Sequence, residues 1–209
     1  DSSISRITLK GDIDIGSTLT VNRTVTLDLN GCVLKMTGSD SVIKVEADGD
    51  LTIQDRNTTT QHKFNPHCKY LTWYIDMWEL DNGGSEIVSG GVITGGGGDQ
   101  SNGGGVLVAG GTLVMAGGSI VGCSAMSRGG GVCNNGTFIM SDGMIKGCTS
   151  PDGQYASGGG VRNSNQFTMT GGMIGDPDNE NDASHVYNTS SQETTLTISG
   201  NAKIYTDIT

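Results

Sequence analysis

Gly103-Gly104-Gly105-Val106 is echoed by Gly129-Gly130-Gly131-Val132 and Gly158-Gly159-Gly160-Val161, with a degraded copy at His185-Val186. The valines of the four copies are 26, 29 and 25 residues apart. After each copy comes a short alternating run: Leu113-Val114-Met115, Phe138-Ile139-Met140, Phe167-Thr168-Met169 and Leu196-Thr197-Ile198. A third run recurs as Val92-Ile93-Thr94, Ser119-Ile120-Val121, Met144-Ile145-Lys146 and Met173-Ile174-Gly175. Each unit thus holds three short strands separated by Gly, Asn, Asp or Ser turns. A repeat of this length is the mark of stacked supersecondary units.

One three-strand unit cannot bury its own inward side chains. Stacking successive units about 4.8 Å apart turns those side chains into continuous columns. The pattern predicts Met115, Met140 and Met169 in one inner column and Ile93, Ile120, Ile145 and Ile174 in another. The glycines are expected at corners. The first fifty residues follow the same logic with fewer glycines, in Leu19 and Val21, Val25, Leu27 and Leu29, then Val33 and Leu34. The expectation is an all-β solenoid of roughly six three-strand coils, about 30 Å long.

Composition narrows the alternatives. With 35 Gly among 209 residues, a helical protein is excluded, because each helical glycine costs about 1 kcal/mol. The glycines cluster instead of recurring at every third place, which excludes collagen. Twelve basic residues face 22 acidic ones, a net charge of -10 with no basic block, so nucleic acid is not an expected partner. No apolar run approaches the ~18 residues of a membrane span, so no membrane insertion is expected. The start, Asp1-Ser2-Ser3, reads as a mature or trimmed end.

Thr26-Leu27-Asp28-Leu29-Asn30-Gly31, the Gly-Gly-Val-Ile-Thr-Gly phrase at 90–95 and the Gly-Gly-Gly-Val units together carry a resemblance. They resemble right-handed parallel β-helix domains of the pectate-lyase-like kind, found in large surface proteins of gut commensal bacteria. The resemblance covers nearly the whole chain. It implies an extracellular, adhesin-like module, with a minority of relatives acting as polysaccharide lyases or glycosidases. Its motifs identify architecture and leave activity open.

The repeat is broken at about 54–86, an insertion within a single domain spanning 1–209. It holds five of the ten aromatic residues, Phe64, Tyr70, Trp73, Tyr74 and Trp78, with His62, His67 and Cys68. Tyr70, Trp73, Tyr74 and Trp78 are the candidate carbohydrate-binding residues, since such rings stack on the C–H faces of sugars. Asp76, Glu79 and Asp81 are candidate hydroxyl acceptors, and are the catalytic candidates if the chain is an enzyme. The competing expectation is a small core that packs the insertion onto the rod. Leu71, Tyr74, Ile75 and Trp78 fall at helical spacing, which predicts a short helix over 71–80 and favours that core for those four.

Other chemistry is weakly supported. His62, His67 and Cys68 lack the second ligand pair that a zinc site needs, so no metal or cofactor is expected. Asp176-Pro177-Asp178-Asn179-Glu180-Asn181-Asp182 lacks the glycine and bidentate glutamate of a calcium loop and reads as a solvated acidic turn. The stretch 150–157 lengthens a corner. Cys123 and Cys148 occupy equivalent places in successive coils, as a thiol ladder or a disulfide. Cys32, Cys68 and Cys133 have no evident partner. Arg162 is singular in its column and is expected outside, in solvent. Asp28 and Asn30 read as turn hydrogen bonding. The glycine clusters precede strands and lack Gly-Lys-Ser or Gly-Lys-Thr, so a phosphate loop is excluded.

These readings converge on a non-catalytic bacterial surface module, adhesin-like, that binds or presents towards glycans or a host surface. A polysaccharide-active enzyme and a pure structural stalk are the alternatives. The end after Ile204-Tyr205 has no amphipathic cap, from which a piece of a longer protein and end-to-end self-association are expected.

Overall fold

The computed structural model describes residues 5–69, 76–97, 102–126, 128–150, 158–176, 185–189, 191, 193–205 and 208. Among these there is no helix. The first coil is β1 (Arg6–Thr8), β2 (Ile13–Ile15) and β3 (Leu19–Val21). The second is β4 (Thr24–Asp28), β5 (Val33–Met36) and β6 (Ile43–Val45). The third opens with β7 (Asp50–Gln54), then leaves the stack for β8 (Gln61–Lys69), β9 (Asp76–Leu80) and β10 (Glu86–Ser89). It returns through β11 (Val92–Thr94) and β12 (Val106–Val108). In the fourth and fifth coils two expected strands run together around a bend, as β13 (Thr112–Val121) and β15 (Thr137–Lys146), followed by β14 (Val132–Asn134) and β16 (Val161–Asn163). The sixth coil is β17 (Gln166–Met169), β18 (Met173–Ile174) and β19 (Val186–Asn188), and β20 (Thr195–Ile198) and β21 (Lys203–Ile204) begin the next.

Equivalent strands of successive coils pair in parallel, giving three ladders. The first runs β1-β4-β7-β13-β15-β17-β20. The second runs β2-β5-β11-β13-β15-β18-β21, and the third β3-β6-β12-β14-β16-β19. This is a parallel β-solenoid of about six turns, as the repeat predicts. The expected columns are present. Ile53, Met115, Met140 and Met169 are register partners, as are Leu34, Ile93, Ile120, Ile145 and Ile174. All nine are 2% exposed or less. Phe138 and Phe167, also register partners, stack with centroids 4.7 Å apart and planes 7° from parallel, so the ring spacing matches the coil spacing.

The inner column of the third ladder changes chemistry halfway. Val21, Val45 and Val108 give way to Asn134, Asn163 and Asn188. Asn134 Nδ2 donates to Asn163 Oδ1 at 2.8 Å, and Asn163 Nδ2 donates to Asn188 Oδ1 at 2.7 Å. Asn134 Nδ2 and Asn163 Nδ2 also reach the carbonyls of Gln166 and Thr195. Stacked amides therefore satisfy one another where burial would otherwise be costly.

The Gly-Gly-Gly-Val corners need glycine for two reasons. Gly129 has φ of +62°, in the left-handed region. A Cβ on Gly131 would lie 2.6 Å from the carbonyl oxygen of Gly160 on the next coil. At the first coil the inward residues Ile7, Ile13 and Leu19 are 41–43% exposed around an apolar opening of about 330 Å³.

Candidate functional site

The insertion leaves the rod through a polar stem. Asp55 Oδ1 accepts from the Gly31 amide at 2.7 Å and from the Asn57 amide at 3.3 Å, while Oδ2 accepts from the Gly91 amide at 2.8 Å. One carboxylate thus grips the second coil and the point where the insertion rejoins the third. His62 Nε2 lies 3.0 Å from the Gly31 carbonyl oxygen, so this histidine serves the same corner.

Asp28 lies beneath the stem and is fully buried. It keeps the expected turn bond, accepting from the Asn30 amide at 3.2 Å, and Asn30 adopts φ of +51°. It also binds the Arg56 guanidinium and backbone amide, with Arg6 3.8 Å away. Burial alone raises its pKa, but the bonds from Arg56 and from Gln54 outweigh it and hold the carboxyl below 3.8.

Beyond the stem, β8, β9 and β10 form an antiparallel sheet in the order β10-β8-β9. This corrects the helix expected over 71–80: residues 76–80 are strand, paired with β8. The sheet stands on the outer face of the second ladder, where Phe64, Trp78 and Val88 pack on Val92 and Val121 with Leu80 and Met144 at the margin. Trp78 is 1% exposed, its ring centroid 6.4 Å from that of Phe64. Its place among the carbohydrate-binding candidates is therefore corrected, because a ring with both faces buried offers nothing to a sugar. Trp78 belongs to the small core, as the competing expectation has it.

The corner glycines Gly122 and Gly147 admit the tryptophan. Its backbone amide donates to the Gly147 carbonyl at 3.2 Å, and a Cβ on Gly147, where φ is +60°, would lie 2.1 Å from Trp78 Cγ. On the other side the Lys146 ammonium sits 4.2 Å from the Trp78 ring centroid and 3.3 Å from Asp176 Oδ2. Lys146 is 7% and Asp176 8% exposed. Asp176 is therefore not part of a solvated turn, because a lysine one coil away takes it inside. Residues 177–182 lie outside the described residues.

Two open grooves flank the sheet. One, of about 500 Å³, follows the corner between the first and second ladders. Ser89 and Thr58 line it, with Met144 and Met173 and with Asp142, Asn201 and Lys203. Asp142 Oδ1 accepts from the Gly143 amide at 2.8 Å. The other groove, of about 480 Å³, lies against β9 and is bordered by Lys35, Thr37, Glu79, Leu80 and Ser124.

Of the other site candidates, Tyr70, Trp73 and Tyr74 lie outside the described residues. For Asp76 the structure gives a strand position opposite Lys69. Glu79 is exposed beside the second groove, where it is the one carboxylate among the described lining residues. Asp81 Oδ1 accepts from the Gly83 amide at 2.9 Å, closing the turn between β9 and β10. Asp81 therefore serves its own turn, while Glu79 borders the groove.

Cys32, Cys123, Cys133 and Cys148 are free thiols. Ser124 and Thr149 form a bridge, so the preceding Cys123 and Cys148 do occupy equivalent places, both buried. Burial pushes the Cys133 thiol up, and Arg162 only partly offsets it. A neutral buried thiol is a poor nucleophile. Arg162 pairs in register with Cys133 and, expected in solvent, is only half-exposed, with Nη1 donating to Ser164 Oγ at 2.6 Å. Among the described residues no cluster of three or more His, Cys, Asp or Glu has the arrangement of a metal site.

Sequence reasoning missed the Lys146–Asp176 pair and the Arg56–Asp28 bond. The first had a signal: lysine occupies a column where the preceding coil has Val121. No protein-family model, curated protein or solved structure matches the chain.

Proposed function

We propose that the chain is a non-catalytic module of a bacterial cell surface, an adhesin-like solenoid that binds or presents towards glycans. The supporting observation is the sheet that stands on the second ladder as a wall, with an open groove on each side. Sugar rings combine apolar C–H faces with a rim of hydroxyls. The groove beside β10 has matching chemistry, with Met144 and Met173 in its lining and Asp142, Asn201 and Lys203 around them. Tyr70, Trp73 and Tyr74 remain the aromatic candidates of this reading. Asp55, the other acid among the described lining residues, has both oxygens committed to backbone amides, which leaves no free pair of carboxyls for glycoside hydrolysis among those residues.

The test is a glycan array, mucin and plant polysaccharides included, probed with the unaltered chain while tryptophan emission is followed, and with the Trp73→Phe variant, whose loss of the emission change assigns it to Trp73. Binding with a shift in Trp73 emission is the expected result. Failure to bind any member of the array, with emission unmoved, removes the glycan reading and leaves a structural stalk.

A further inference from the structure

Lys146 and Asp176 are out of keeping with their surroundings. The outer face beneath the inserted sheet is built from Val92, Val121 and Met144, with the uncharged hydroxyl residues Thr94 and Ser119 buried among them. Burying an ammonium and a carboxylate there costs several kcal/mol per ion in lost hydration, and an apolar pair of similar volume fills such a space as well or better. Yet both groups are more than nine-tenths buried, with Nζ 3.3 Å from Oδ2. They sit on successive coils held in register, the Gly175 amide donating to the Ile145 carbonyl at 2.9 Å. The Trp78 ring closes over Nζ. An amine and a carboxyl fixed in contact by a rigid frame, with water excluded, meet the conditions for condensation, because the entropy of bringing them together has been spent in folding.

We propose that Lys146 and Asp176 form an intramolecular isopeptide bond that cross-links the fifth and sixth coils. The proton of the ammonium passes to the carboxylate, giving a neutral amine and a neutral acid. The Nζ lone pair attacks Cγ of Asp176, and a C–O bond breaks. The hydroxyl leaves with a second amine proton as water. One N–C bond is made, one C–O bond is lost, nothing is oxidised or reduced, and the net charge of the chain is unchanged. The sheet above the pair acts as the lid that keeps solvent out, so bond formation follows docking of Trp78.

Intact-mass spectrometry of the folded chain, followed by tryptic mapping, tests this. The expected result is a mass one water below that of the sequence, no tryptic cut after Lys146, and a branched peptide joining residues 146 and 176. Lys146→Arg keeps the cation and is expected to restore the full mass. A chain recovered into urea before it has ever folded is expected to keep the full mass and to lose the water on its first folding, whereas urea added after folding is expected to leave the water loss in place. A folded chain of full mass overturns the proposal. So does a water loss with normal cutting at Lys146, which marks a cyclic imide at an Asp-Gly step such as Asp142-Gly143. Should Lys146→Arg fail to fold, the wild-type digest decides alone.

Discussion

The stacked coils and the inserted sheet reach burial by different routes. In the coils each inner position is filled many times over, and each copy rests on its neighbours above and below. In the insertion Phe64, Trp78 and Val88 each serve once, against a face that belongs to the rod. Stability in the first case is a sum of nearest-neighbour contacts along an axis. In the second it hangs on one large side chain. The coils are therefore expected to give way gradually along the rod, and the sheet all at once.

Truncation within a column gives the largest effect. Phe167→Ala removes half of the stacked phenylalanine pair and is expected to cost about 3–5 kcal/mol. Urea unfolding measures the loss, and hydrogen exchange is expected to rise in the fifth and sixth coils first. Equal loss of protection everywhere would show that the coils behave as one cooperative block.

Gly147→Ala comes next. The new methyl meets Trp78 at a positive φ, so strain and overpacking together are expected to cost about 2–4 kcal/mol. The expected signature is local: exchange of β8, β9 and β10 rises while the inner columns stay protected. Should the columns lose protection too, the insertion is part of the rod's own stability and the contrast between the regions fails.

How far the sequence reaches follows the same division. The columns were legible because each position is spelled several times, so Met115, Met140 and Met169 vouch for one another. The insertion is spelled once. The helical spacing that includes Trp78 had no second copy to contradict it, and pairing with β8 overrode it for residues 76–80. Asp176 looked solvated because its neighbours in sequence are acids and proline. Its partner, Lys146, lies 30 residues back and is close only because the coils stack. For Trp78 the spacing favours the core over a sugar platform, but the residue type suits both, and the face of the second ladder decides.

The smallest expected effect is confined to acid and separates the stem from the rest. The folded-state pKa of Asp28 lies below 3.8, so its ionised form stabilises the fold above that value. This contribution is expected to be lost as pH falls from 3.8 through the lowered value. Arg56→Met removes the main partner and is expected to flatten that part of the stability curve, measured by thermal unfolding at a series of pH values. An unchanged acid limb in the variant would mean that Asp28 does not report on the stem.

The grip of Asp55 on Gly31 and Gly91 also bears on how such a chain changes over generations. Both ends of the detour are clasped by a single side chain on the rod, so the detour's content is uncoupled from the register of the coils that follow. A segment of other length is expected to be accepted at this point without resetting the columns downstream, provided that it still covers Val92 and Val121. The rod then works as a chassis with a port, where change in the detour leaves the stacking of the repeat untouched.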